Sequence, residues 1–192
     1  MRCRSRVVCS PPTDQLEVTN HDDAQRTYLT TTRRGRQLRL EPVPPTEVDQ
    51  LFSIFDQVVR DGEGYPQLPP LTRESFEAMW VLPVSIVVGA FDAAVLLGAY
   101  YLRPNGVGRA AHVANAGYVV EKSARSSGVG RCLIEDSIGR ARLLGFDAMQ
   151  FNFVFASNPA RQLYEELGFR LIGAIPDGVA TGEDALIYWR AL

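Results

Sequence analysis

The spacing of hydrophobic residues changes several times along the chain, and each spacing predicts a different kind of element. Alternation with a period of two is typical of half-buried strands, whereas apolar residues three and four apart are typical of amphipathic helices. Gly and Pro clusters mark the turns between these stretches. In chain order the pattern predicts a strand over 37–42, helices opening at 45 and 72, strands over 84–91, 94–102 and 116–120, a helix over 129–144, a strand over 148–155, a helix over 158–167, and strands over 169–175 and 185–189.

This order of elements predicts an α/β (α+β mixed) fold, with a central twisted mixed sheet of about seven strands and about four helices on both faces. Residues 1–37 mix Arg, Thr, Ser, Pro and Asp without either period, and they predict a disordered N-terminal tail before a domain over 38–192. An over-long gene start and a transit peptide are the alternatives, and the acidic residues of the segment argue against the second.

Composition narrows the class of protein. The chain has 192 residues, 46% of them hydrophobic, and a formal net charge of −2, which suits one core and does not favour a nucleic-acid binder. No stretch approaches the roughly 20 apolar residues of a membrane span. The three cysteines lack metal-site spacing. We therefore expect a cytoplasmic protein without a nucleic-acid, membrane or metal partner.

The string from Val119 to Arg131 carries the most specific chemistry, because a strand runs there through a loop of small residues into a helix. Gly128 and Gly130 would let a ligand approach the backbone, and the unpaired amides of the first helical turn would point at an anion. The string lacks the lysine-serine ending of a nucleotide P-loop and the three-glycine dinucleotide fingerprint. A diphosphate site is favoured, and an ordinary glycine-rich turn is the alternative.

With Arg125, Gly128 and Gly130 the loop resembles the acetyl-CoA loop of the GNAT acetyltransferase family, which has Arg or Gln, two residues, Gly, one residue, then Gly or Ala. The strings 140–146 and 163–169 follow at the distances this family shows. The resemblance covers residues 37–192 and implies the GNAT fold, with acetyl-CoA as co-substrate of an N-acetyltransferase. It implies cofactor contacts at Val119, Val120, Arg125, Ser126, Ser127, Gly128, Val129, Gly130 and Arg131.

The resemblance also implies the local geometry of the reaction. The strand before the loop would splay from its neighbour, by means of a β-bulge, and place Tyr118, Val119 and Val120 beside the thioester. Tyr164 would protonate the leaving thiolate as a general acid. A half-buried aromatic that packs on the sheet is the alternative for Tyr164.

A narrower resemblance, carried by the strings 112–120, 150–155 and 157–158, is to the fungal N-acetyltransferases of the proline analogue azetidine-2-carboxylate and their bacterial relatives. It implies that Asn115 and Asn152 hold the carboxylate of the acceptor and that Asn158 serves the reaction centre. Asn158 is equally well explained as a helix cap. The spacing from Asn158 to Tyr164 is one residue shorter than is usual, so Ser157 is the alternative for the place of the asparagine.

The predicted function is direct attack of a small-molecule amine, from an amino acid or analogue, on the acetyl thioester. We expect Tyr65, in the loop between the first two helices, to contact this acceptor. Glu121 and Glu63 are candidate bases, but solvated surface is the favoured interpretation of both and a water chain is the alternative base. His112 is not assigned to catalysis. A protein or peptide N-acetyltransferase and a non-catalytic acyl-CoA-binding module are the alternatives. Homodimers are common in the resembling family. The sequence pattern does not identify the acceptor, the base or the oligomeric state.

Overall fold

The computed structural model describes residues 21–192 except positions 83 and 181. Its regular elements are α1 (His21–Ala24), β1 (Tyr28–Thr31), β2 (Gln37–Pro42), α2 (Val48–Arg60), α3 (Arg73–Trp80), β3 (Ile86–Asp92), β4 (Val95–Pro104), β5 (Val113–Val120), α4 (Val129–Leu143), β6 (Ala148–Phe155), α5 (Arg161–Glu166), β7 (Arg170–Val179) and β8 (Glu183–Ala191).

The strands form one mixed sheet in the order β1-β2-β3-β4-β5-β6-β8-β7. The pairing of β5 with β6 is parallel, and the other neighbours in this order are antiparallel. The predicted mixed fold is confirmed, with eight strands among the described residues where the pattern predicted about seven.

Two hydrophobic layers cover the faces of the sheet. Helices α2 and α3 bury Phe55, Phe76 and Trp80 against one face. Helix α4 buries Leu133 against the other, where Tyr164 of α5 also packs. Side chains of β5 alternate between the layers, since Val119 belongs to the first and Ala116 to the second. Both hydrophobic layers therefore include side chains of β5.

The beginning of the ordered domain differs from the prediction. Residues 28–31, expected in the tail, form β1 and pair with residues 37–40 of β2. The strand escaped the pattern because it is short and Leu29 is 84% exposed, so no apolar alternation marks it. Residues 1–20, the rest of the predicted tail, lie outside the described residues.

Several element boundaries were also wrong, two of them beside the cleft. Strand β5 begins at Val113, three positions before the predicted start at 116, so Asn115 lies within the strand. Helix α5 begins at Arg161, three positions after the predicted start at 158. In the second case Asn158 accepts a hydrogen bond from the N–H of Ala160 (2.8 Å), which closes a turn before the helix.

None of the helices in the described part of the chain is both long and apolar enough to cross a membrane.

Candidate active site

Strands β5 and β6 diverge in the middle of the sheet. Their parallel pairing covers the three positions from Val113 opposite Ala148 to Asn115 opposite Gln150, and beyond these both strands continue without pairing to each other. The resemblance implied this splay, and it leaves a gap on the carboxyl side of both strands.

Strand β5 does not contain the β-bulge that the resemblance implied. Strand β5 keeps an unbroken register with β4, from Val120 opposite Gly98 to Ala114 opposite Pro104. The irregularity lies on the other strand, where the register of β6 with β8 shifts between Phe151 and Val154. The bend that opens the gap therefore belongs to β6.

Backbone groups of β5 face the gap. The N–H of Glu121 donates to the carbonyl of Leu97 (2.8 Å), and hydrogen bonding alternates along an antiparallel pair. The N–H and C=O groups of Tyr118 and Val120 must then point away from β4 and towards β6. The carbonyl of Tyr118 accepts a hydrogen bond from the hydroxyl of Tyr65 (3.0 Å).

The gap is part of a cleft of about 660 Å³ that runs between the two layers. It brings together twelve of the residues singled out in the sequence. They are Glu63, Tyr65, Asn115, Tyr118, Val119, Val120, Arg125, Gly130, Asn152, Ser157, Asn158 and Tyr164.

At one end of the cleft stands the N-terminus of α4. Gly128 is its N-cap with a φ of 95°, a left-handed conformation that favours glycine. The first helical hydrogen bond runs from the N–H of Cys132 to the carbonyl of Gly128 (3.2 Å). The amides of Val129, Gly130 and Arg131 therefore have no partner within the helix, and they form an anion-binding cradle.

Five of the predicted cofactor residues do not line the cleft with side chains. Gly128 has none, and Val129 is completely buried in the core beneath the cradle. Ser127 donates its hydroxyl to the carbonyl of Ala124, and Ser126 has a φ of 58°. The guanidinium of Arg131 pairs with Glu166 of α5. These five residues would contact a cofactor through the backbone of the turn, as the small residues in the motif predict.

Two ion pairs hold the loop after α2 over the cradle. Arg125 pairs with Glu63, and Lys122 lies 3.1 Å from Asp61. The hydrogen bond from Lys122 lowers the pKa of Asp61, followed by that from Gln57. The loop that carries Tyr65 is therefore positioned by charges on the cofactor side of the cleft.

The two carboxylates considered as bases are engaged elsewhere. Glu63 is committed to Arg125. Glu121 accepts hydrogen bonds from the hydroxyl and the N–H of Ser123, and the hydroxyl is the larger cause of its lowered pKa. A carboxylate that is stabilised in its charged form is a weaker base. His112 lies in a loop, where its Nδ1 is 3.0 Å from the carbonyl oxygen of Arg109.

Tyr164 lines the middle of the cleft from α5. Its ring packs against Phe151, with centroids 4.9 Å apart, and against Tyr188 at 5.8 Å. Burial raises the pKa of its phenol, with a smaller contribution from Tyr188. The side chain therefore stays protonated.

At the far end of the cleft, Asn115 is a buried polar residue with 6% exposure. Its Nδ2 donates to the carbonyl of Gln150 (3.0 Å), and the hydroxyl of Tyr101 lies 3.4 Å from its Oδ1. Gly117 makes this arrangement possible, because a Cβ there would stand 2.6 Å from a ring carbon of Tyr101.

Asn152 lines the same end of the cleft and is half-buried. Its Nδ2 donates to Oδ1 of Asn105 (2.6 Å), while its Oδ1 accepts from Nε2 of Gln150 (2.8 Å). The amide is satisfied within the protein, as a half-buried polar group must be. Its position in the cleft wall agrees with the predicted role in acceptor binding, although its side chain is already hydrogen-bonded within the protein.

Asn158 and Ser157 lie where the cleft meets the start of α5. The side-chain oxygen of Asn158 closes the turn before the helix, and its Nδ2 stands 3.4 Å from the place of a Cβ on Gly64. Ser157 is bound by Glu183, whose carboxylate accepts from the serine N–H (2.8 Å). Asn158 thus combines the capping role with a place in the cleft.

The cleft wall also contains residues that were not predicted from the sequence, among them Met79, Tyr101, Arg103 and Glu183. Met79 and Tyr101 follow the ordinary period of buried positions. Arg103 reaches the cleft because β4 pairs with β5 in a register that sets it opposite Asn115. No local pattern carries that register.

A splayed parallel strand pair, a helix N-terminus at its mouth and a narrow cleft beneath are the features of an acyl-CoA-dependent transferase. Comparison with known proteins assigns the family. Residues 49–169 match the model of the Acetyltransferase (GNAT) family. The chain belongs to the GNAT family of N-acetyltransferases, for which acetyl-CoA is the acetyl donor.

Solved structures agree with this assignment. A GCN5-related N-acetyltransferase from Kribbella flavida is 34% identical, with a TM-score of 0.76 over 81% of this chain and 98% of that one. The yncA protein of Salmonella typhimurium, solved with acetyl-CoA, shares the fold at a TM-score of 0.71 and 16% identity, over 81% of this chain and 94% of that one.

Among curated proteins, N-acetyltransferase aca1 of Schizosaccharomyces pombe is 43% identical over 99 residues, which are 48% of this chain and 47% of that protein. Protein SPT10 of Saccharomyces cerevisiae is 36% identical over 90 residues, 46% of this chain and 14% of that protein. The similarity therefore spans about half of the first relative and a small part of the second.

Proposed function

We propose that the protein transfers the acetyl group of acetyl-CoA to the amine of a small molecule, an amino acid or an analogue of one. The observation that carries this proposal is the continuity of one cleft of about 660 Å³ from the cradle at Gly130 to the buried Asn115. A cleft of this volume suits a small acceptor.

The residues present fit the cofactor. The amides of Val129, Gly130 and Arg131 would hold its diphosphate. The backbone groups of Tyr118 and Val120 that face the gap would pair with the pantetheine arm. Acetyl-CoA supplies an activated thioester, so the protein has to orient an amine and manage protons.

In the proposed reaction the neutral amine nitrogen attacks the thioester carbon, a C–N bond forms, and the bond from carbon to sulfur breaks. The nitrogen, cationic once it is bonded to carbon, releases a proton to water; Tyr164 donates its phenolic proton to the departing sulfur and regains one from the same water. The proton of the acceptor ammonium leaves through water, because neither Glu63 nor Glu121 is arranged as a base. Tyr164 is thus the proposed general acid.

The proposed acceptor site is the amide-rich end of the cleft. Asn115 and Asn152 would orient the carboxylate, with Asn158 nearer the reaction centre and Tyr65 on the opposite wall. The similarity to aca1, a fungal N-acetyltransferase, agrees with the fungal subfamily that the strings 112–120, 150–155 and 157–158 resemble.

A panel of acceptors tests the proposal. Free amino acids, cyclic imino acids such as proline and azetidine-2-carboxylate, and peptides with a free lysine or N-terminus would be compared by release of CoA thiol. Mass spectrometry would identify the acetylated product. Acetylation of free amino acids without peptide transfer supports the proposal; peptide transfer alone identifies a protein acetyltransferase, and cofactor binding without turnover identifies a binding module.

A homodimer and a cytoplasmic location stay predictions from the sequence. Strand β7 is an edge of the sheet and exposes Leu171 and Ile172. Sedimentation velocity at several protein concentrations would determine the oligomeric state.

A further inference from the structure

Arg103 stands at the acceptor end of the cleft. It lies on β4 directly opposite Asn115 of β5, and both residues line the cleft. Its guanidinium lies over the ring of Tyr101, 4.9 Å from the centroid. An aromatic face holds a guanidinium by its plane and leaves the N–H groups at its edge available.

The charge of Arg103 has no acidic partner within the described residues. The other arginine that lines the cleft, Arg125, pairs with Glu63. The acidic residues of the lining are Glu63 and Glu183, and the second holds Ser157. The cofactor end of the cleft is therefore internally neutralised, whereas no carboxylate of the described residues lies within ion-pair distance of Arg103 at the acceptor end.

The polar side chains at this end of the cleft are neutral amides that already form hydrogen bonds within the protein. Asn115 donates to the carbonyl of Gln150, and Asn152 donates to Asn105. These amides can orient an anion but cannot neutralise it. A half-buried guanidinium gains most from a partner of opposite charge that accepts two parallel hydrogen bonds.

The distance along the strand suits a substrate in which the charge and the amine are close together. Asn115 precedes Tyr118 by three residues, so along the strand it lies about 10 Å from the position proposed for the thioester. An arginine side chain spans much of that distance. A carboxylate on the carbon that bears the amine would lie within its reach.

We propose that Arg103 binds the carboxylate of the acceptor, so that the enzyme selects amino acids and carboxylate-bearing analogues over uncharged amines of the same shape. This inference rests on the proposed small-molecule function. It adds a charged specificity residue to the amides that the resemblance implied.

The experiment compares each amino acid with its primary amide, for instance proline with prolinamide, in the wild type and in Arg103→Gln and Arg103→Lys. In the wild type kcat/KM is higher for the acid. In Arg103→Gln the preference for acid over amide falls roughly 10- to 100-fold, mainly through KM of the acid, because a charged hydrogen-bonded contact is lost. Arg103→Lys recovers part of the preference, since it restores the charge without the planar fork.

The matched control is Arg109→Gln, which removes an exposed arginine outside the cleft and keeps the wild-type preference. Equal loss for acid and amide in Arg103→Gln, or an unchanged preference, overturns the inference. A wild type that acetylates amines without preferring the acid also overturns it and leaves the acetyltransferase function intact. Failure of every small amine with retained acetyl-CoA binding rejects the proposed function itself, and the inference with it.

Discussion

At the scale of single residues, Tyr164 has the two properties that a proton donor to a departing thiolate needs. It lies in the wall of the cleft, and burial raises its pKa so that the phenol is neutral at working pH. Its ring is fixed by Phe151 and Tyr188.

Replacing Tyr164 with Phe removes the hydroxyl and keeps the ring packing. We expect kcat to fall about 100-fold or more, the range of lost general acid catalysis, while the Kd for acetyl-CoA changes less than about twofold. Steady-state kinetics and calorimetric titration measure the two effects. Unaltered turnover would assign Tyr164 to the core.

Tyr188→Phe is the matched control for this variant. Tyr188 is a fully buried neighbour whose hydroxyl donates to Glu165 (2.9 Å). Its loss should lower the free energy of unfolding by about 1 kcal/mol and leave turnover close to that of the wild type.

Single residues were predictable where they carried their own local pattern. Gly128 could be recognised as the cap of the cradle because a loop of small residues leads into an apolar-periodic helix. Arg103 could not, because its place depends on the register between two strands separated by a turn. The partners of Asn152 were hidden for the same reason, since Asn105 comes from another part of the chain.

At the scale of elements, α4 joins the proposed cofactor cradle to the anchoring of the N-terminal segment. Its first turn presents the free amides of the cradle. One turn before its end, Arg140 forms a buried ion pair with Asp136 (2.7 Å) and donates to the carbonyls of Ala24 and Leu40. The hydroxyl of Tyr100 donates to the same carboxylate (2.6 Å).

Gly130→Asp tests the cradle without straining the backbone. A Cβ at Gly130 would meet its nearest atom, on Val120, at 3.8 Å, an ordinary contact. The new carboxylate would repel a diphosphate, so we expect acetyl-CoA affinity to fall at least about tenfold. The melting temperature should be maintained, because an acidic residue in the first turn suits the helix dipole. Unchanged affinity, with Gly130→Ala as control, would contradict the cradle.

Removal of Arg140 tests the anchor. Arg140→Leu would leave Asp136 buried without its charge partner and release the carbonyls of Ala24 and Leu40. We expect the free energy of unfolding to fall by about 3–5 kcal/mol. Urea denaturation measures the loss, and the double variant with Asp136→Leu should recover part of it. A loss below about 1 kcal/mol would show that the network contributes little to stability.

The elements best predicted were those with a long, clean period. The strand over 148–155 was confirmed in full, and α4 ends one residue before the predicted position. Short elements were predicted less well. Strand β1, with four residues, was not predicted, and the turn at Asn158 was included in the predicted helix α5. The splay between β5 and β6 came from the family resemblance, since no residue pattern announces where two strands stop pairing.

At the scale of the whole molecule, both hydrophobic layers of the sheet bury tyrosine side chains. The layer beneath α4 and α5 contains Tyr100, Tyr118 and Tyr164, and burial is the largest cause of the raised pKa of each. These phenols are neutral in the folded state. In the unfolded chain they ionise with a pKa near 10.

Stability should therefore depend on pH in the alkaline range. Above about pH 10 the unfolded chain loses phenolic protons that the folded state retains, so it binds fewer protons and the free energy of unfolding decreases as pH rises. Each tyrosine contributes a slope of about 1.4 kcal/mol per pH unit until its folded pKa is reached. Denaturation at pH 8, 9, 10 and 11 measures the slope, and Tyr100→Phe should reduce it. A free energy that stays constant to pH 11 would contradict the burial of these phenols.

The central claim is that the cleft between β5 and β6, with the N-terminus of α4 at its mouth, binds acetyl-CoA. The most direct measurement is thermal unfolding of the wild type and of Gly130→Asp across a titration of acetyl-CoA. We predict a rise in the wild-type midpoint that grows with ligand concentration, equivalent to about 2.7 kcal/mol at 100 times Kd, and a much smaller rise in the variant. No shift of the wild type at millimolar acetyl-CoA, or an equal shift of both proteins, would contradict the account.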